Sequence, residues 1–178
     1  MLISIVGGEC TGKTSLAEDL ASRTAGFIVV EALREFVVAH ARTPYREEQS
    51  AIAHAQRAAE LLALTRYATV IADPAPLMTA VYSQVYFADD SLVAEGTEWL
   101  LTARLVVWCR PDIPWVADPG QRDGPSARAE VDRALASHVA RWRAEGIVVH
   151  EARGSRSHRL ASTCAALEAS GALGDLDS

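Results

Sequence analysis

The chain has 178 residues and a formal net charge of -6; 49% of its residues are hydrophobic and 22% are charged. One domain of ordinary globular composition is expected at this size, and every apolar run is shorter than the ~20 residues that span a bilayer. The negative charge opposes the phosphate backbone of nucleic acids, and the first residues carry no export signal, so we expect a cytoplasmic protein that binds neither membranes nor nucleic acid.

Short apolar runs alternate with helical patterns along the chain. Strands are predicted at residues 2–6, 27–30, 69–72, 104–109 and 147–150. Helices are predicted at residues 13–24, 33–41, 46–67, 76–87, 94–102, 126–144 and 156–170. This alternation predicts a single three-layer α/β domain over residues 1–170, with a five-stranded, mainly parallel sheet that binds its ligand at the carboxyl ends of the strands. Residues 171–178 are predicted to form a flexible tail.

A glycine-rich segment lies between the first predicted strand and helix, with the sequence Gly7-Gly8-Glu9-Cys10-Thr11-Gly12-Lys13-Thr14. In that context its spacing predicts the phosphate-binding loop of a P-loop NTPase. Glycine lets backbone amides approach phosphate, Lys13 is expected to reach the β- and γ-phosphates of ATP, and the Thr14 hydroxyl to ligate Mg²⁺. We predict ATP binding over this loop and Ser15, with Cys10 as a small spacer.

Arginine bias in the composition does not explain the loop lysine. Lys13 is the only lysine in the chain, and the other 16 basic residues are arginines. A compact ammonium charge suits a phosphate loop better than a planar guanidinium. The missing second lysine also argues against a GTPase, whose guanine-reading motif needs one.

Two segments supply candidate acidic groups. Glu31 follows the second strand, next to the phosphate loop in a parallel sheet, where a kinase needs a carboxylate to orient or deprotonate its acceptor. Arg34 is expected to face the same cleft, although the two side chains could instead form only an exposed ion pair. Asp73 follows the third strand at the position expected for a magnesium-binding carboxylate, the alternative being a cap for the next helix.

The segment after the fourth strand is rich in proline, glycine and arginine and predicts a mobile lid at about residues 110–125. Arg122 and Arg128 are candidates to neutralise the transferring phosphoryl group. Trp115 suits stacking on a heterocycle, or equally docking the loop onto the body. Arg156, after the fifth strand, is expected either to stack on adenine or to begin a solvated helix.

Four segments together resemble the ribosylnicotinamide kinase domain of NadR-type proteins and related AAA-family P-loop ATPases. They are the phosphate loop, Glu31 to Glu35, Asp73 to Ser83, and Pro114 to Asp118 followed by Arg122. The resemblance implies a nucleoside-kinase-like fold and the use of ATP and Mg²⁺. It further implies acceptor contacts at Glu31, Arg34, Tyr82, Trp115 and Asp118.

Two departures from the family pattern concern the acceptor rather than ATP. The family carries Asp-Thr-Asp where this chain has Asp73-Pro74-Ala75, and the lid is longer here. The leading hypothesis is a kinase for the hydroxyl of a nucleoside-like acceptor, nicotinamide riboside first. The alternative is a regulatory ATPase that acts with a protein partner; a nucleic-acid kinase is disfavoured by the net charge.

Overall fold

The computed structural model describes residues 1–116 and 124–171. Within these ranges the strands are β1 (Leu2–Val6), β2 (Phe27–Val30), β3 (Val70–Asp73), β4 (Leu105–Cys109) and β5 (Val149–Ala152). The helices are α1 (Lys13–Thr24), α2 (Ala32–His40), α3 (Gln49–Leu64), α4 (Leu77–Phe87), α5 (Val93–Leu100), α6 (Pro125–Ala144) and α7 (Arg156–Ala169). None of these helices is long and apolar enough to cross a membrane.

The strands of the described residues form one parallel sheet in the order β2-β3-β1-β4-β5. β1 is central, and its Ile3 lies opposite Ile71 of β3 and Leu105 of β4. Parallel pairing brings the carboxyl ends of all the strands to one edge of the sheet. The predicted α/β fold with a five-stranded parallel sheet is therefore confirmed.

Side chains alternate between the two faces of the sheet along each strand, and helices cover the apolar side chains on both faces. Ile3 and Ile5 of β1 pack with α1 and α7 on one face. Val6 of β1 packs with α4 and α6 on the other face, where Leu2 also contacts α3. The central strand is thus buried from both sides, which holds the loop that follows it against a rigid core.

The fifth strand begins two residues later than predicted. Ile147 belongs to the cap that follows α6, because its N–H donates to the carbonyl of Trp142 at 2.9 Å and Gly146 takes a left-handed conformation with φ of 87°. This is the hydrogen-bond pattern of a Schellman cap, in which an apolar residue after the glycine packs back onto the helix. Hydrophobicity alone does not separate such a cap from the start of a strand.

The long helix predicted at residues 46–67 is divided. A 3₁₀ turn at Arg46–Glu48 precedes α3, and Glu48 accepts from the backbone N–H of Tyr45 at 2.7 Å. Glu48 also forms two 2.7 Å hydrogen bonds with Arg42, and this pairing lowers the pKa of the Glu48 carboxyl to about 2. The chain before α3 is thereby held to the helix start by a charge-assisted cap.

Candidate functional site

The glycine-rich loop joins the end of β1 to the start of α1, as the motif requires. A Cβ atom on Gly7 would lie 2.7 Å from the carbonyl oxygen of Cys109 and 2.8 Å from Oγ1 of Thr11. Gly12 has φ of 80°, which favours glycine. The two glycines that define the motif are therefore required by local geometry.

Lys13 and Thr11 close the loop upon itself. Nζ of Lys13 donates to the carbonyl oxygen of Gly8 at 2.7 Å, and Oγ1 of Thr11 donates to the same oxygen at 2.8 Å. Thr14 is exposed on the first turn of α1, and Ser15 beside it is half-buried. The lysine ammonium and the helix N-terminus thus bring positive charge and potential to one loop, an arrangement that binds phosphate.

Asp73 is the last residue of β3, beside β1. It is buried, and its Oδ1 atom has no hydrogen-bond partner among the described residues. A buried carboxylate oxygen is costly without a donor or a cation. The unpartnered carboxylate oxygen of Asp73 therefore fits a ligand of the kind that Mg²⁺ prefers, and the hydroxyl of Thr14 stays the second predicted ligand.

Glu31 lies one strand further from the phosphate loop than the sequence suggested, because β3 separates β2 from β1. Val30 pairs with Asp73, so Glu31 follows at the level where β3 ends. Burial raises the pKa of the Glu31 carboxyl; the positive charges of Lys13 and Arg34 oppose that rise, and the negative charge of Asp73 adds to it. Glu31 is therefore close enough for the charge of Lys13 in the phosphate loop to act on it despite the intervening strand.

The side chain of Arg34 is 68% exposed and lies 3.9 Å from the Glu31 carboxylate. At that separation and exposure the ion pair contributes little to stability. Both the predicted role in acceptor binding and the alternative of an exposed ion pair are compatible with this position.

Gln56 is a site-forming residue that the sequence did not reveal. It is buried in α3; its Oε1 atom accepts from the N–H of Ala32 at 2.7 Å, and its Nε2 atom donates to the carbonyl of Pro74 at 3.2 Å. One amide thus ties the residue after Glu31 to the residue after Asp73. The only available signal was a polar residue on the buried face of a helix, which does not indicate what it contacts.

The described start of the lid segment contacts the phosphate loop. Sγ of Cys10 donates to the carbonyl of Val116 at 3.1 Å. Arg128 of α6 donates to the carbonyls of Cys10 and Ile113 at 3.3 and 3.1 Å, and its guanidinium lies 5.4 Å from the centre of the half-buried Trp115 ring. Arg128 therefore contacts the phosphate loop, and Trp115 packs against Arg128. Stacking of Trp115 on substrate stays a prediction.

Arg159 of α7 is a second residue that the sequence analysis missed. It is 3% exposed, and it donates to the carbonyls of Gly154 at 2.9 Å, Thr11 at 2.8 Å and Arg110 at 2.9 Å. It also pairs with the carboxylate of Asp112. Among 16 arginines, nothing in its sequence context distinguishes it.

Two further predicted site residues, Tyr82 and Arg156, contact other side chains of the protein. Tyr82 is buried in α4 and stacks on Tyr86, with 6.1 Å between ring centres. Arg156 forms two 2.8 Å hydrogen bonds with Asp19 of α1. Their contacts with acceptor and adenine stay predictions, and Asp118 and Arg122 lie outside the described residues.

Comparison with known proteins supports the assignment of the fold. The model of a family described as AAA domain matches residues 2–159. No curated protein matches the sequence. Solved structures do match it, among them the NadR protein in complex with NAD and AMP-PNP, with 18% identity and a TM-score of 0.74.

That match covers 96% of this chain and 49% of the NadR chain, so this chain spans about half the length of NadR. Deoxyadenosine kinase from M. mycoides matches with 12% identity and a TM-score of 0.66, covering 95% of this chain and 100% of the kinase. Thymidylate kinase from Ehrlichia chaffeensis matches with 13% identity and a TM-score of 0.65, over 94% and 98% of the two chains. The resemblance to P-loop nucleoside kinases is confirmed at the level of the fold.

Proposed function

The chain belongs to the AAA domain family, and on that premise we propose that it is an ATP-dependent kinase for a small molecule. It transfers a phosphoryl group to the hydroxyl of a nucleoside-like acceptor, with nicotinamide riboside as the first candidate. The observation that carries the proposal is that Glu31 and Asp73 follow or end neighbouring strands at the same level and that the charges of Lys13 and Asp73 both act on the Glu31 carboxyl. Such a transfer needs a positively charged side chain that binds phosphate, here the ammonium group of Lys13, and a carboxylate that binds the acceptor hydroxyl.

Each residue has a role in this proposal. The loop amides and Lys13 bind the phosphates of ATP and stabilise charge on the γ-phosphoryl group. Glu31, when ionised, accepts the hydrogen bond of the acceptor hydroxyl, aligns it and takes its proton as the new bond to phosphorus forms. Arg128, at the lid side of the loop, and Arg122 add positive charge to the transferring group.

The metal-binding residues in this proposal are Asp73 and Thr14. The buried Oδ1 atom of Asp73, which lacks a partner among the described residues, is the observation that supports a cation here. When bound, Mg²⁺ supplies charge neutralisation of the β- and γ-phosphates.

Nicotinamide riboside is the first candidate because one matching structure is NadR in complex with NR. Deoxyadenosine kinase has a similar fold, so deoxynucleosides are the next acceptors to test. The resemblance to the NadR-type kinase domain implies a carboxylate at the position of Ala75, and we expect any change in acceptor preference to originate there.

The test is ADP release from ATP and Mg²⁺ in the presence of separate acceptors: nicotinamide riboside, deoxyadenosine, deoxycytidine and thymidine. We expect at least one to stimulate ADP release and to appear as a phosphorylated product. Lys13→Ala is expected to lower that rate by roughly 100-fold or more. If no acceptor stimulates release, or the Lys13→Ala variant keeps the full rate, the proposal is wrong.

A regulatory ATPase is the second candidate, because AAA domain is the description of the matching family. It predicts slow hydrolysis of ATP that no small acceptor stimulates, together with a protein that co-purifies in the presence of ATP. The acceptor panel therefore separates the two functions directly.

A further inference from the structure

Arg159 contacts the phosphate loop at a carbonyl whose orientation matters for phosphate binding. Its guanidinium donates to the carbonyl of Thr11 at 2.8 Å from a buried position. In a trans peptide unit the carbonyl and the following N–H point in opposite directions. Holding the Thr11 carbonyl toward α7 therefore directs the N–H of Gly12 away from α7, as phosphate binding by loop amides requires.

Arg128 acts in the same way one residue earlier. It donates to the carbonyl of Cys10 at 3.3 Å, which directs the N–H of Thr11 by the same geometry. Two guanidinium groups from two helices therefore fix successive peptide units of the loop. This loop contains left-handed residues, Cys10 with φ of 51° and Gly12 with φ of 80°, a conformation that needs support from its surroundings.

Arg159 is itself firmly held. Its four acceptors belong to the loops after β1, β4 and β5, and Asp112 supplies the negative charge that a buried guanidinium requires. The same carboxylate accepts from the N–H of Gly154 at 2.7 Å. The loops after β4 and β5 are thus joined to the phosphate loop through one side chain.

We propose that Arg159 is a positioning residue for the phosphates of ATP: it orients the Thr11–Gly12 peptide unit of the phosphate loop and does not touch the reacting atoms. This inference rests on the proposed function, because it assumes that the loop binds ATP. Lysine cannot replace Arg159, since one ammonium group does not reach carbonyls on three separate loops in the way a planar guanidinium does.

The test measures dissociation constants for MgATP and for inorganic tripolyphosphate by titration calorimetry. Arg159→Lys is expected to weaken both about tenfold, because the lost contact orients a loop amide that binds phosphate and does not concern the base. Arg57→Lys is the matched control: Arg57 is also largely buried, but it contacts Glu60 and Thr102 and not the phosphate loop. A purely structural role would lower the melting temperature of either variant and leave both dissociation constants unchanged.

Asp112→Asn serves as a second variant if Arg159→Lys does not fold, because the Asp112 side chain is 32% exposed. The substitution removes the negative charge and replaces one of the two oxygens that accept from Arg159 and Gly154 with an NH₂ group, so we expect a several-fold weaker affinity for both ligands. Wild-type affinity for tripolyphosphate in either folded variant overturns the inference alone. Failure of the wild-type protein to bind MgATP overturns the proposed function, and the inference with it.

Discussion

The buried carboxyl of Glu60 makes the stability of the folded protein depend on pH. Its side chain is 1% exposed in α3 and contacts Arg57 at 3.0 Å, and its Oε1 atom has no partner among the described residues. Burial raises the pKa of Glu60 from 4.5 to about 7, with the hydrogen bond and charge of Arg57 opposing the rise. The folded protein therefore holds this proton more tightly than the unfolded chain.

Because the pKa of Glu60 is raised in the folded protein, the free energy of unfolding falls as pH rises. Below about pH 4.5 the carboxyl is protonated in both states, so burial carries no ionisation cost. As pH rises from 4.5 to about 7, the unfolded chain ionises first and gains stability relative to the folded protein. The loss amounts to roughly 3 kcal/mol over the whole window, of which about 2 kcal/mol falls between about pH 5.5 and 8.

Urea unfolding followed by tryptophan fluorescence at about pH 5.5 and 8 measures this loss, with the buried Trp142 as a reporter. Glu60→Gln is expected to remove it, so that the free energy of unfolding of the variant, relative to wild type, rises by about 2 kcal/mol between the two pH values. Glu130→Gln, at a 54% exposed position, is the control and is expected to follow wild type. Parallel pH profiles for wild type and Glu60→Gln would refute the reasoning.

Three further predictions concern the site. Gly7→Ala places a Cβ 2.7 Å from a backbone oxygen and is expected to lower the free energy of unfolding in urea by about 1–3 kcal/mol and to weaken ATP binding. The control is Gly124→Ala, whose Cβ would have no atom of a neighbouring residue within 4 Å and which is expected to change stability by less than about 0.5 kcal/mol. Equal effects of the two substitutions would contradict the close approach at Gly7. Because burial raises the pKa of Glu31, kcat/KM is expected to fall in acid at a pH above the ordinary pKa of glutamate. Glu31→Gln is expected to lower activity and to remove this acid-side fall. If the acid-side fall is unchanged in Glu31→Gln, Glu31 is not the group responsible. Gln56→Leu leaves the N–H of Ala32 without its hydrogen-bond acceptor and is expected to lower the free energy of unfolding by about 1–3 kcal/mol and to raise KM for the phosphoryl acceptor. Wild-type stability and KM in this variant would show that the Gln56 bridge is dispensable.

The phosphate loop was predictable because its information is local. Eight consecutive residues carry the glycines that the backbone geometry demands and the lysine that the chemistry demands. Asp73 was predictable for a related reason, since a carboxylate that ends a short hydrophobic run reports both the strand and the edge of the sheet where it stops. The alternation of strands and helices likewise sufficed for the parallel sheet, because each element is recorded in the spacing of its own apolar residues.

Only the tertiary structure decided how distant segments meet. The strand order places β3 between β1 and β2, so Glu31 approaches the phosphate loop across a neighbouring strand, which the order of strands along the chain did not reveal. Arg159 reaches Thr11 across 148 residues of sequence, and Gln56 reaches Ala32 across 24. Side chains of one chemical type look alike in sequence, and their partners are determined by packing of the helices onto the sheet; local spacing therefore identified the loop that binds phosphate, while the fold selected the side chains that hold it in place.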